Sequence, residues 1–139
     1  MWTWHQSSGE LLHDDKLVGK GYAGNGAGKN NPAMQHVKNT GPLPQGWYTI
    51  GPPKDRAKLG PYVLKLTPAK ENEMYGRSAF LIHGDSKRAP GTASDGCIIL
   101  MPALRIQIWE SGDHDLTVVA GPAALPSSTA PQSSGSANA

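Results

Sequence analysis

Glycine and proline interrupt this chain so often that long helices are excluded. Seventeen glycines and 12 prolines fall among 139 residues. Inside a helix, glycine costs about 1 kcal/mol and proline about 3 kcal/mol relative to alanine. Such a chain folds from short strands and turns. The length is that of one domain and suffices for a buried core.

Apolar alternation places the strands. Trp2-Thr3-Trp4, Leu11-Leu12 and Leu17-Val18 are separated by the turn-prone Ser7-Ser8-Gly9 and Asp14-Asp15-Lys16, which predicts an antiparallel meander. Further strands are expected at 46–51, 61–67, 79–83, 97–100 and 115–120. Residues 21–31 are Gly/Asn-rich and read as a loop, either on the substrate side or as a plain connection. Residues 52–60 read as a charged connection. Pro32 is placed to open a short helix through Lys38. A firmer helix starts at Pro102, shares Leu104, Ile108 and Trp109 on one face, and ends at Gly112, bracing the strand before it. The expected fold is mainly β with one or two short helices. From Pro122 the composition turns to Pro, Ser and Ala, so 1–121 is expected to be the folded domain and 122–139 a disordered tail.

Thirteen basic and 11 acidic residues leave a net charge of +2. That balance, with no basic patch interleaved with aromatics, gives no sign of a nucleic-acid surface. No apolar run approaches the ~20 residues of a membrane helix. The opening Met1-Trp2-Thr3-Trp4-His5 has neither the basic nor the apolar region of a signal peptide. His5, His13, His36 and His114 show no metal-ligand spacing. Trp2, Trp4, Trp47 and Trp109 read as core or strand-face aromatics, one of them a candidate floor for a substrate groove.

The single cysteine carries the chemistry. It lies in Ser94-Asp95-Gly96-Cys97-Ile98-Ile99-Leu100, 14 residues after His83 in Phe80-Leu81-Ile82-His83-Gly84-Asp85-Ser86. A thiol served by an imidazole is the minimum of a cysteine nucleophile, because the thiolate attacks and the base makes it. A buried, inert thiol is the competing reading, since free cysteine is commonly buried and apolar residues follow this one. A glycine beside the nucleophile favours catalysis, because it lets backbone N–H groups approach a developing oxyanion. The Gly-rich 21–29 is no phosphate loop: Ala23 and Asn30 stand where that motif needs glycine and a hydroxyl.

His-Gly, a short loop and Ser-x-Gly-Cys-apolar together resemble the YkuD-type L,D-transpeptidases of bacterial cell walls. Pro44-Gln45-Gly46-Trp47-Tyr48-Thr49-Ile50 is similar to a strand of the same enzymes. Met1-Trp2-Thr3-Trp4, Gly28-Lys29-Asn30-Asn31-Pro32, Gly76-Arg77-Ser78 and Thr92 through Leu100 resemble, more narrowly, the type VI secretion L,D-transpeptidase effectors. The resemblance implies an L,D-transpeptidase-like β-sandwich or barrel. It implies Cys97 as nucleophile, His83 as general base, and Gly84, Ser94 and Gly96 as parts of the catalytic motif, with the N–H groups around Gly96 and Cys97 holding the oxyanion. Gly84, Asp85 and Ser86 are its candidates for orienting the imidazole, although Asp85 serves equally as a turn cap; Arg77, Asp85, Ser86 and Asp95 are the candidate substrate-binding residues. It implies L,D-carboxypeptidase action and D-amino-acid exchange on peptidoglycan stem peptides, with no cofactor or metal. The implied partners are the secretion machinery and a periplasmic immunity protein, and the implied place of action is the target-cell periplasm.

Three departures carry consequences. Asp95 replaces the family's usual histidine, and an anion there opposes thiolate formation. Ile99 stands where family members often have Arg or Asn, so a carboxylate contact is absent or moved. Arg77, Lys87 and Arg88 are the candidates to replace it, Arg77 first among them, and a solvated surface charge is the competing reading of each. The 10 residues between His83 and Ser94 make a loop shorter than the family's. The rival readings are a housekeeping cross-linker and a non-catalytic peptidoglycan-binding β module. A papain-like or NlpC-type hydrolase is disfavoured because it places Cys before His.

Overall fold

The computed structural model describes residues 1–121; the expected tail at 122–139 lies outside the described residues. Ten strands form one mixed sheet. The opening meander forms as expected: β1 (Trp2–His5), β2 (Glu10–His13) and β3 (Lys16–Lys20) pair antiparallel. Further along run β4 (Tyr22–Ala23), β5 (Gly46–Ile50), β6 (Lys54–Arg56) and β7 (Gly60–Pro68). They are followed by β8 (Leu81–His83), β9 (Ile98–Ile99), the helix α1 (Pro102–Glu110) and β10 (Asp115–Val119). The sheet order is β3-β2-β1-β10-β5-β7-β8-β9-β4, with β6 paired to β7. Two pairs are parallel, β1 with β10 and β8 with β9.

Three expectations need correction. Residues 32–38 form only one tight 3-10 turn, Pro32–Met34, capped by the Asn31 side chain. Proline opens that turn, but no following amphipathic stripe rewards a longer helix. The charged connection 52–60 contains β6, whose three exposed residues add a short strand beside β7. The Gly-rich loop contains β4, which pairs with β9 through Tyr22–Ile99 and Ala23–Ile98.

The core follows strand alternation. Trp2, Trp4, Tyr48, Ile50, Leu116 and Val118 point inward and are buried with Leu64, Ile82 and Ile98. Each such side chain contributes roughly 1.5–3 kcal/mol by leaving water. The helix α1 adds Leu104 and Ile108 to that core and packs on β7. Gly112, at φ +76°, follows its last turn. Among the tryptophans, Trp2 and Trp4 are core, whereas Trp47 is exposed on the opposite face of β5. Trp109 is half-buried and stacks on His114 with ring centres 4.1 Å apart.

Candidate active site

The parallel pairing of β8 and β9 brings the two chemical motifs together. Ile82 pairs with Ile98 and His83 with Ile99. Side chains alternate with a period of two along a strand. Ile82 and Ile98 therefore enter the core, while His83 and the residue before β9, Cys97, turn to the other face. They are diagonal neighbours there, about 7–8 Å apart at the backbone by ordinary sheet spacing. Among the described residues no hydrogen bond joins the thiol to the imidazole. The Cys97 sulfur lies instead 4.0 Å from the Ala79 carbonyl oxygen.

His83 is 3% exposed. Its Nδ1 lies 2.9 Å from the Gly84 carbonyl oxygen. A carbonyl only accepts, so Nδ1 carries the proton and donates it. Nε2 is left with a free lone pair, the form a general base requires. Of the three candidate orienters, Gly84 takes this role. Burial pushes the His83 pKa below its usual 6.5, the Gly84 bond opposes that, and the nearby Arg105 charge adds to it. The imidazole is neutral at neutral pH.

Burial also raises the Cys97 thiol above its usual value, and the Asp95 carboxylate adds to this. The N–H groups of Leu81 and Cys97 itself, and the Arg77 guanidinium, pull the other way. The thiol is therefore a protonated group that needs a base. Its surroundings already offer an anion two backbone donors and a cation.

Ser94 and Gly96 hold the cysteine turn rather than facing a substrate. Ser94 is buried; its Oγ accepts from the Gly24 N–H at 2.8 Å and the Gly96 N–H at 3.0 Å. It donates to the Cys97 carbonyl at 2.6 Å. The Gly96 N–H is thus spent, which removes it from the oxyanion donors the sequence reading assigned. The N–H groups of Leu81 and Cys97 are the backbone donors that favour the thiolate. Gly96 is required for another reason. It sits at φ +139°, and a Cβ there would come 2.6 Å from Arg77 Nη2 and 2.9 Å from Phe80. The Gly-rich stretch also braces this turn, because Asn25 Nδ2 donates to the Ser94 carbonyl at 2.8 Å.

Arg77 does not hold a free guanidinium toward a substrate. It is buried and donates to the carbonyls of Gln35, Pro42, Gly41 and Asp95. Its guanidinium also lies over the Phe80 ring, 5.1 Å from the centroid. It clamps the 35–42 segment to the cysteine turn and leaves a positive charge near the sulfur. Arg77→Met is expected to strand those carbonyls, at about 1–3 kcal/mol per unsatisfied buried group. A loss of about 3 kcal/mol or more in urea unfolding checks this; a loss under ~1 kcal/mol would show that the clamp is dispensable.

Asp85 and Ser86 organise the loop after the histidine. Asp85 accepts from the Tyr22 hydroxyl at 2.7 Å, the Ser86 N–H at 2.8 Å and the Gly91 N–H at 3.0 Å. Burial pushes the Asp85 carboxyl up, but these donors outweigh it and hold the group below its usual range. Ser86 Oγ accepts from the Ala89 N–H. Asp85 is thus the turn cap the sequence allowed. Asp95 is exposed, with its carbonyl held by Arg77.

A groove of about 1050 Å³ opens on His83, lined also by Tyr22, Leu59, Gly84, Asp85 and Arg105. Lys20, Lys58, Lys87 and Arg88 stand on its walls. Cys97 and the four tryptophans are not in that lining. Arg105 is the residue that sequence reasoning missed. Its neighbours Leu104 and Ile108 were legible as an apolar stripe, while a charge at 105 reads as solvated surface. It is 2% exposed. Away from the groove, the fold also gathers His13, Asp14 and Asp113, which the sequence spacing concealed. The Met1 ammonium pairs with both carboxylates there, at 2.8 and 2.6 Å.

Native stability carries the His83 shift. An unfolded chain takes a proton on histidine near 6.5, whereas folded His83 resists it. Stability is therefore full above about pH 6.5 and is lost as pH falls toward the lower native value. Melting temperature measured from pH 7.5 to 5 should decline, and less steeply in His83→Gln; equal slopes would remove His83 as the cause.

A family model for the Tlde1 domain, that of the type VI secretion L,D-transpeptidase effectors, matches residues 18–120. The chain belongs to that family. No curated protein and no solved structure gives a significant match.

Proposed function

We propose that this member of the Tlde1 domain family is an antibacterial effector that cleaves peptidoglycan stem peptides by cysteine acyl transfer. The observation that carries this reading is the pairing on one sheet face of a thiol and a neutral imidazole whose tautomer is fixed by the Gly84 carbonyl. Nε2 of His83 takes the Cys97 proton as the sulfur attacks the carbonyl on the L-centre of the stem diamino acid. The N–H groups of Leu81 and Cys97 then lie near the developing oxyanion. The imidazolium returns its proton to the departing D-alanine amine. The thioester passes to water, giving L,D-carboxypeptidase action, or to a free D-amino acid, giving exchange. Both outcomes remove the donor stems needed for cross-linking, which accounts for toxicity in the periplasm of a target cell. Delivery by the type VI machinery and neutralisation by a periplasmic immunity protein complete the reading. No helix among the described residues is long and apolar enough to cross a membrane.

The test is mass analysis of muropeptides incubated with the protein, with and without D-amino acids. Loss of the terminal D-alanine, and its replacement when a D-amino acid is present, are expected. Unchanged tetrapeptides under both conditions would overturn the reading. The raised thiol pKa and the missing thiol–imidazole bond favour a second one, a non-catalytic wall-binding module with an inert cysteine. Iodoacetamide separates the two: an inert thiol stays silent until unfolding, whereas a base-assisted one reacts in the native protein.

A further inference from the structure

Arg105 is a buried cation with no anion. Among the described residues its guanidinium makes one hydrogen bond, from Nη1 to the Leu100 carbonyl at 3.3 Å. Its Nε is buried and has no hydrogen-bond partner among the described residues. No carboxylate of the described residues forms a salt bridge with it. A guanidinium cannot shed its proton to escape burial, and a buried charge without a counter-ion is among the costlier features a fold can hold. The chain has nonetheless made room for it. A Cβ at position 84 would come 2.7 Å from Nη1, so the glycine of the His-Gly pair is what admits the guanidinium beside the imidazole. Arg105 lines the groove that opens on His83. The other charged groups on that lining are Lys20, Lys58, Lys87, Arg88 and a single acid, Asp85. Both Asp85 oxygens are already taken by Tyr22, Ser86 and Gly91. The groove is therefore a basic cleft with an orphaned, preorganised fork at its histidine end.

We propose that Arg105 binds the α-carboxylate of the amino acid that leaves, and of the one that enters, at His83. This rests on the acyl-transfer reading above and adds to it the recognition of the leaving group. In the forward step the bond from the Cys97 sulfur to the acyl carbon forms and the peptide C–N bond breaks. The departing amine takes its proton from the His83 imidazolium. The amine and carboxylate of a free amino acid share one carbon, so a group that holds the carboxylate belongs beside the group that protonates the amine. In exchange, the incoming amine attacks the thioester, the C–S bond breaks, and the thiol recovers a proton through His83. The carboxylate stays on Arg105 in both directions. Arg105 thus favours donors ending in a free carboxylate and acceptors that are amino acids rather than amines.

The experiment compares wild type, Arg105→Met and Arg105→Lys on muropeptides, with D-alanine or D-alaninamide as acceptor. Circular dichroism and native-state labelling of Cys97 serve as folding controls. A charge-assisted carboxylate bond is worth roughly 10- to 100-fold in affinity. Arg105→Met is expected to raise KM for D-alanine by about that factor with a smaller change in kcat. Arg105→Lys should recover part of the loss, and remains the informative variant if methionine does not fold. D-alaninamide should be a poor acceptor for wild type and no worse for the methionine variant. Equal KM for D-alanine in wild type and both variants, or equal use of D-alanine and its amide by wild type, would overturn the proposal. A second arm needs no turnover. By NMR, D-alanine should raise the His83 imidazole pKa in wild type by neutralising its cationic neighbour, and D-alaninamide should not. If stem peptides are untouched but this shift appears, the acyl-transfer reading fails while the carboxylate site stands. If stems are processed and His83 does not respond, the site alone fails.

Discussion

Cys97→Ala is expected to abolish stem-peptide processing while leaving the fold in place. The two halves of that expectation rest on different observations. Covalent catalysis has no second thiol to fall back on, because Cys97 is the chain's only cysteine, and the serines of the two motifs are engaged in hydrogen bonds. Ser94 is buried with its Oγ in three hydrogen bonds. Ser86 is tied to Ala89. Removing a nucleophile in such a setting costs roughly 10⁴-fold or more in turnover. Structurally the thiol's hydrogen bond to the Ala79 carbonyl is long, at 4.0 Å, and the side chain is partly accessible. Truncation to alanine there costs about 1 kcal/mol. The measurement is muropeptide turnover beside a circular-dichroism spectrum and a melt. Undiminished turnover in a folded Cys97→Ala protein would end the covalent mechanism.

The strands were legible because their pattern is local. Alternation in Trp2-Thr3-Trp4 and in Gly46–Ile50, with turn residues on either side, needs no knowledge of partners. The helix α1 was legible for the same reason, from Pro102, Leu104, Ile108 and Gly112. What the sequence concealed is decided by partners distant along the chain. Lys54–Arg56 has no apolar signal and becomes a strand only because β7 offers it an edge. Tyr22–Ala23 sits in a Gly-rich stretch and is recruited by β9. The site divides along the same line. His83 and Cys97 were visible as reactive types at strand ends. Arginines look alike in a sequence, and burial separates them. Arg77 read as a substrate contact and is a clamp on four carbonyls. Arg105 carried no signal in the sequence and, among the described residues, is a cation without a counter-ion beside the imidazole. Gly96 read as an oxyanion donor, but its N–H answers to Ser94.

His83→Ala should lose most turnover and slow iodoacetamide labelling of Cys97 at neutral pH, whereas Asp95→Asn should leave labelling equal or faster. The signs follow from the charges around the sulfur. Burial holds the thiol protonated, and the Asp95 carboxylate strengthens that hold. Removing the carboxylate's charge therefore lowers the cost of the thiolate. Removing His83 instead takes away the acceptor for the proton. A positioned imidazole is worth roughly 10²–10⁴-fold as a general acid–base. The imidazole acts only when neutral, and burial together with Arg105 has moved its pKa below 6.5. Wild-type turnover is thus expected to persist below pH 6.5 and to fall only as pH drops through the lowered His83 value. The measurement is the pH profile of labelling and turnover in wild type, His83→Ala and Asp95→Asn. If Asp95→Asn silences the thiol while His83→Ala does not, the base is the carboxylate, and the tautomer fixed by the Gly84 carbonyl serves packing rather than proton transfer.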